Sequence, residues 1–377
     1  MIYKNKKLDL GLIIPIILLA FISIITIYSA STYIAESMGN LALKQSIWYG
    51  IGIILVLILI KLKNEYLYSH TWILYVIGNV LLLSLLLFAP SINNSKCWFV
   101  IPGIGSFQPS EFMKIFLMLM LATMIHDFRS DYEEPSTKDE FKFILKTLVV
   151  LLIPSILTFL EPDTGSVIIY FVIYFAMMFA SGIRTRWFII AFIIITAILA
   201  VVFGIYFGNE KLFIKVFGTK LYYRFERIFN WSNGSGLQLE NAMSAIGSAG
   251  FLGHGFNNTP IYFPEAGTDF IFAVFASNFG LLGSLILLAI ILFYDTKIIL
   301  LANKKILDTD KYILIGIVAM LVFQQVQNIG MTVGLFPITG ITLPFISYGG
   351  SSLLSYMILV GIIINISLQK PRKYKYK

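Results

Sequence analysis

The chain has 377 residues, 58% of them hydrophobic and only 13% charged, with a mean hydropathy of +0.84, a balance that no water-soluble single domain sustains. Its net charge of +8 sits in short basic clusters between apolar runs rather than along one face, which argues against a nucleic-acid partner and for the positive-inside asymmetry of a polytopic membrane protein. A single cysteine, Cys97, excludes an intramolecular disulfide and a cysteine-built metal site.

Runs of about 20 apolar residues cross a hydrocarbon core of roughly 30 Å as helices. Ten are predicted, at 8–30, 46–61, 70–89, 111–127, 143–160, 164–182, 187–208, 269–294, 312–332 and 349–368. The expected fold class is therefore an all-α polytopic membrane protein, one integral membrane domain over residues 1–377. The first run exceeds the apolar core of a signal peptide and further spans follow it, so it is expected to be retained. With the N-terminus in the cytoplasm, 20 of the 28 lysines and arginines fall on inner segments and seven, Lys44 among them, on outer ones. The remaining one, Lys114, lies within the fourth span. Both termini are thus expected inside. That topology puts the motif-bearing loops 90–110, 161–164, 209–268 and 333–348 outside, the large 209–268 loop standing before the eighth helix. The inner connection 128–142, with Asp131, Glu133, Glu134, Lys138, Asp139 and Glu140, reads as a solvated face.

In chain order, the first ionisable pair within a span is Glu111 and Lys114, three residues apart on one helical face. Ser110 reads as the N-cap, with Glu111 favoured at the positive end of the helix dipole. Two readings stay open: a cap with a snorkelling lysine, or a lysine held in an apolar run to meet a phosphate or pyrophosphate. In the turn from Glu161 to Gly165, Asp163 and Thr164 are predicted to cap the next helix. Glycines 247, 250, 253 and 255 permit close backbone approach, but without a preceding strand they form no dinucleotide fingerprint. Glu265 and Asp269 stand at the mouth of the eighth span, where a carboxylate beside hydrocarbon costs several kcal/mol unless hydrated, paired or capping. Asp269 is either a first-turn carboxylate or a functional group. From Asn328 to Ser352 an apolar stretch is broken by Pro337, Pro344 and several glycines, and such backbone at membrane depth must be buried in protein or line a wet cavity.

Four stretches, taken together, carry a resemblance. They are Phe107-Gln108-Pro109-Ser110-Glu111 with Lys114; Glu161-Pro162-Asp163-Thr164-Gly165; Pro264-Glu265 with Thr268-Asp269-Phe270-Ile271-Phe272-Ala273; and Asn328-Ile329-Gly330-Met331 through Pro344-Phe345 to Ser347-Tyr348-Gly349-Gly350-Ser351. On these the chain resembles the SEDS family (shape, elongation, division and sporulation) of peptidoglycan polymerases, which includes RodA and FtsW. The resemblance implies a peptidoglycan glycosyltransferase that extends glycan strands from lipid II on the outer face of the bacterial cytoplasmic membrane. It makes Asp269 the family's essential aspartate, acting as a base or as the ligand of a divalent cation, Mg or Mn, with no tightly bound cofactor. It places Glu111 and Lys114 in the same cavity, Lys114 toward the leaving group and Glu111 orienting it. Gln108, Gln238, Glu265, Ser347 and Ser351 are the expected substrate-binding positions. A class B penicillin-binding protein, the transpeptidase, and other elongation or division membrane proteins are the implied partners. Two departures stand out: Gly267, where the family usually has histidine, and Ser277 and Asn278, where it usually has acidic residues.

A different class of function, a lipid II flippase, would call for ionisable groups spread through the depth of several spans, including the cytoplasmic half. The candidates here crowd toward the outer end. Orientation is directly measurable: in a Cys97→Ser background, a cysteine placed at Ser235 should be labelled from outside and one placed at Lys305 only from inside. Outside labelling at 305 would overturn the orientation.

Overall fold

The computed structural model describes residues 8–31, 40–90, 96–101, 105–230, 236–304 and 308–369; positions 235 and 305 lie outside the described residues. Helices α1 (Leu10–Ser31) and α2 (Leu41–Leu62) lead through the short α3 (Asn64–Ser69) to α4 (Thr71–Phe88). A two-stranded antiparallel hairpin follows, β1 (Phe99–Ile101) and β2 (Gly105–Phe107), with Phe99 opposite Phe107. Next come α5 (Pro109–Asp131), α6 (Thr137–Leu160), α7 (Thr164–Ala180) and α8 (Arg186–Gly208). The segment 209–268 is not a bare loop, because α9 (Glu210–Phe217), α10 (Thr219–Asn230) and α11 (Leu237–Ser248) lie in it. Then α12 (Ile271–Ala302), α13 (Asp308–Thr332) and α14 (Gly350–Ser367) complete the chain.

A helix thus covers each predicted apolar run, and among the described residues eight are long and apolar enough to cross a membrane. The 17-residue α7 is apolar but shorter, and α5 is diluted by its charged residues. Several helices begin earlier than their apolar runs, α2 and α6 among them, each of these two started by a capping side chain. Asn40 caps α2 by accepting from Leu43 N at 3.0 Å, and Ser136 with Asp139 forms a reciprocal capping box at the start of α6.

Burial sorts the helices. In α14, 78% of the apolar window is buried and it packs mainly on α2 and α5, whereas α8 has no buried residue. A helix that is apolar all round and not covered by protein belongs against lipid. The connection expected to be a solvated face is solvated at Asp131, Glu133 and Glu134 but not at Glu140. That carboxylate is 1% exposed, accepts from Trp187 Nε1 at 2.8 Å and faces Arg184 and Arg186 at 3.7 and 3.8 Å. Desolvation is tolerable there because the charge is paired and hydrogen-bonded.

The widest break in helical geometry is at Gly280 inside α12, with φ 63° and ψ −161°. The glycine-bearing segment after α11 fills it. Leu281 N and Leu282 N donate to Gly250 O and Phe251 O at 3.1 and 3.0 Å, while His254 N and Gly255 N donate to Ser277 O and Asn278 O at 2.9 and 3.0 Å. Every amide freed by the break that these bonds reach finds a protein partner, the condition for non-helical backbone at such depth. Contact is backbone to backbone: a Cβ at Gly280 would stand 2.3 Å from Gly253 N, and one at Gly253 would stand 2.3 Å from Asn278 O. Gly280→Ala combines that overlap with a positive φ, so it should cost at least about 2 kcal/mol. A lowered thermal midpoint of the purified protein in detergent is the expected result, against little change for Ala at Gly247, where nothing lies near the added carbon.

Candidate active site

A cavity of about 960 Å³ opens at the end of the bundle where α5, α7 and α12 begin. It is assembled from helix starts and from the broken segment between α13 and α14, and it holds four carboxylates: Glu111, Asp163, Glu265 and Asp269.

Asp163 ties two of the helix starts together. It caps α7 as expected, Oδ1 accepting from Ser166 N at 3.0 Å, but Oδ2 also accepts from Gln108 Nε2 at 3.0 Å and Ser110 Oγ at 2.8 Å. Ser110 therefore does not cap α5. The N-cap position is Gln108, which makes no side-chain cap bond, and Pro109 opens the helix where a missing N–H costs nothing. Gln108 N donates instead to Ser351 Oγ at 2.9 Å, and Ser351 donates to Ser106 O at 3.2 Å, joining α14 to the hairpin.

Glu111 faces the cavity with Lys114 behind it. Their ion pair is 2.6 Å long, Ser355 Oγ donates to the same oxygen at 3.3 Å, and the ammonium lies 5.7 Å from the centre of the Tyr356 ring. The Lys114 side chain is 1% exposed and does not line the cavity. It is not snorkelling; it is sealed in.

Asp269 lies in the turn 264–270, two residues before α12, so the helix begins later than the predicted span. Phe270 occupies the N-cap position without a side-chain cap bond, and the Asp269 carboxylate caps nothing. The first-turn reading therefore fails on geometry. Burial, followed by the nearby Glu265 charge, pushes the Asp269 carboxyl up to about 7. The turn is held from outside itself: Asn328 Nδ2 donates to Asp269 O at 2.9 Å and to Ile341 O at 2.8 Å, Ser347 Oγ donates to Thr268 O at 2.7 Å, and Tyr348 N donates to Gly267 O at 2.8 Å. Glu265 takes a positive φ of 54° and accepts from Thr268 Oγ1 at 2.7 Å.

The apolar broken stretch does line the cavity, through residues 339–342 and 348–352. Gln327 on α13 satisfies Pro337 O at 3.1 Å and Thr339 Oγ1 at 3.2 Å. Of the residues singled out from sequence, Glu111, Glu265, Asp269, Gln108 and Ser351 meet in the cavity, while Lys114, Gln238 and Ser347 stand outside its lining. Gln238 Nε2 instead supports the Pro264 carbonyl at 3.1 Å. Sequence reasoning missed Lys44, Trp48 and Gln324 as lining residues. The one available signal was Lys44's place on the side expected to be poor in basic residues. Beside the cavity, Glu161 has both carboxyl oxygens buried without a partner among the described residues, and burial together with Asp163 pushes its carboxyl up to about 9.

Fold and site together define an integral membrane protein of helices around a carboxylate-lined cavity. Comparison makes the class specific: the family model described as cell cycle protein, covering FtsW, RodA and SpoVE, matches residues 10–372, and the chain belongs to that family. It is 31% identical over 376 residues to the probable peptidoglycan glycosyltransferase FtsW of Bacillus subtilis, covering 96% of this chain and 91% of that one. It is 30% identical over 386 residues to stage V sporulation protein E of the same organism, with coverage of 97% and 98%. Among solved structures it matches, with a TM-score of 0.79 and 24% identity, a chain from "Structural coordination of polymerization and crosslinking by a peptidoglycan synthase complex", with coverage of 96% and 98%. The crystal structure of Thermus thermophilus rod shape determining protein RodA matches with a TM-score of 0.68 and 25% identity, with coverage of 95% and 96%.

The buried ion pair generates a test. Lys114→Met leaves the Glu111 carboxylate without its counter-ion and should cost roughly 3–5 kcal/mol, the usual penalty for removing one partner of a buried pair. Glu111→Gln combined with Lys114→Met should recover most of the thermal stability. Equal losses in the single and double variants would show that the pair is not what holds α5 in place.

Proposed function

We propose that the chain is a peptidoglycan glycosyltransferase that extends glycan strands from lipid II at the cavity, with Asp269 as its catalytic residue. The observation that carries the reading is a carboxylate held at a cavity wall by its backbone and capping no helix, and burial with the Glu265 charge raises its pKa. The acceptor sugar hydroxyl attacks the anomeric carbon of the lipid-linked strand, the bond from that carbon to the pyrophosphate oxygen breaks, and undecaprenyl pyrophosphate leaves. Asp269 takes the hydroxyl proton, for which a pKa near the working pH is the favourable value.

A divalent cation, Mg or Mn, is the alternative use of the same group. Asp269 and Glu265 offer the hard oxygen donors such an ion takes, and no third His, Cys, Asp or Glu completes a cluster among the described residues. Phosphate oxygens and water would fill the remaining positions. Such an ion, when bound, supplies positive charge to the pyrophosphate. Lys114 acts on the cavity through Glu111, holding that carboxylate in place by the ion pair. Gln108 and Ser351 line the same cavity, and Gln238 and Ser347 support the turn that carries Glu265 and Asp269.

In this reading ten helices span the membrane with both termini inside and the cavity facing outward, as the distribution of basic residues favours. The large segment 209–268 then stands outside as part of one membrane domain over the whole chain. A class B penicillin-binding protein is the proposed partner, supported by the likeness to a chain of a synthase complex that couples polymerization to crosslinking. The flippase reading draws no comparable support. Asp295 on α12 and Asp310 on α13 are buried and do not line the cavity; one oxygen of each accepts, from Gln325 Nε2 and Tyr68 OH respectively, and the other is buried without a partner among the described residues.

Asp269→Asn keeps the size of the side chain but removes the base and most of the affinity for a divalent ion. Normal thermal stability with polymerisation of labelled lipid II lowered at least about a hundredfold is expected, the lower end of general-base contributions. In the wild type, kcat/KM should rise with pH through about 7, because the raised carboxyl must lose its proton to act. Wild-type polymer from the Asn variant would refute the assignment, and lost polymerisation with intact lipid II translocation would exclude the flippase role for this residue.

A further inference from the structure

Helix α8 has 23 residues, none of them buried, and packs chiefly on α9. Its contacts with the earlier helices lie near its start, where Trp187 stacks on Phe141 and Phe188 meets Phe179 edge-on. At 1.5 Å per residue it is about 34 Å long, enough to cross a hydrocarbon core of roughly 30 Å, so its far end falls at the boundary of that core. There Asn209 closes α8 and caps α9, accepting from Leu212 N at 3.0 Å.

One side of α9 is tied to protein. Phe213, fully buried, meets Tyr206 of α8 and Phe225 of α10 with ring centres 5.3 Å apart in each case. The other faces are open. Leu212 and Val216, one turn apart, are 43% and 57% exposed. Lys211 and Lys215 form the adjoining row, exposed and in no ion pair among the described residues, while Glu210, the one acid of α9, hydrogen-bonds Tyr222. A helix that starts at the edge of the hydrocarbon with an exposed apolar strip beside a strip of lysines is built to lie in the interface, apolar groups among acyl chains and ammonium groups among headgroups.

Charge selects the lipid. On the topology proposed above, seven lysines and arginines lie outside, and five of them, Lys211, Lys215, Lys220, Arg224 and Arg227, fall within α9 and α10, against two acids, Glu210 and Glu226. Basic residues gathered on the side that is otherwise poor in them complement anionic headgroups rather than zwitterionic ones.

We propose that α9, with α10, docks on anionic phospholipid of the outer leaflet, Leu212 and Val216 entering the acyl region and Lys211 and Lys215 meeting the headgroup phosphates. Lipid thereby fixes the outer end of a helix that the protein itself leaves uncovered. The leaflet rests on the outward topology; the contact with anionic lipid does not, because both faces of a nanodisc carry the same lipids. The test uses the full chain with Cys97→Ser and Val216→Cys, labelled at position 216 with a nitrobenzoxadiazole fluorophore, in phosphatidylcholine nanodiscs. Equal small fractions of doxyl-labelled phosphatidylglycerol or doxyl-labelled phosphatidylcholine serve as quenchers. Both should quench the probe, the phosphatidylglycerol by about twofold more or better. Lys211→Gln with Lys215→Gln should remove roughly half or more of that excess, and the corresponding pair of arginine substitutions should keep it. Because both lysines are exposed, these changes do not threaten folding. Quenching by neither lipid overturns the docking, equal quenching by the two overturns the anionic preference, and an excess untouched in the glutamine variant overturns the role of the lysines. Labelling of position 305 from outside would overturn the outer-leaflet assignment alone.

Discussion

Irregular backbone inside a lipid-facing bundle needs a protein partner for every amide it frees, and the site depends on how that requirement is met. An unsatisfied buried peptide group costs about 1–3 kcal/mol, so the segment between α13 and α14 persists only because other helices answer it. Asn328 takes the carbonyls of Asp269 and Ile341, Gln327 takes that of Pro337, and Tyr49 takes that of Phe345. One of these, from Asn328 to Asp269 O, also holds the turn 264–270, which Ser347 and Tyr348 of the broken segment hold at Thr268 O and Gly267 O. A carboxylate carried on a backbone so held needs no side-chain bond of its own to stay in place, which leaves its oxygens available to a ligand.

Charge follows a second constraint. Four carboxylates around one cavity repel each other and any anionic ligand, and the structure blunts this unevenly. Glu111 is matched by Lys114 at 2.6 Å, and Asp163 is spread over three donors from α5 and α7. Glu161 nearby is pushed toward its neutral form by burial. What remains with the least compensation is the pair Glu265 and Asp269, and their mutual repulsion adds to burial in raising the Asp269 carboxyl. The group proposed as base is thus basic because burial and the Glu265 charge both oppose its ionised form.

Much of this was legible in the sequence, and what was not has a physical reason. Apolar run length marked the helices, since lipid leaves few alternatives for backbone, and the prolines and glycines of 328–352 announced a broken, cavity-lining segment. The capping role of Asp163 was readable because it is local. Ser110 was misread for the complementary reason: its partner is 53 positions away, and a local rule assigned it to its own helix end. Glu140 looked solvated amid mixed charges because nothing in the run reveals Trp187 and Arg184 closing over it. Lys114 could be recognised as a buried cation but not as one turned away from the cavity, since a three-residue spacing fixes its partner and not what that partner hides.

The departures at 277 and 278 can be placed by the same reasoning. Neither residue lines the cavity. Asn278 donates to Ser29 Oγ at 2.6 Å and accepts from Thr259 Oγ1 at 2.9 Å, and Ser277 supplies the carbonyl that receives His254 N. Both sit where α12 breaks at Gly280 and the 249–255 segment closes the gap. An amide at 278 serves two neighbours as donor and acceptor together, which an ionised carboxylate cannot do. Replacing acid by amide and hydroxyl at these positions therefore acts on how the break is packed, and removes charge from a buried joint rather than from the wall that faces the substrate.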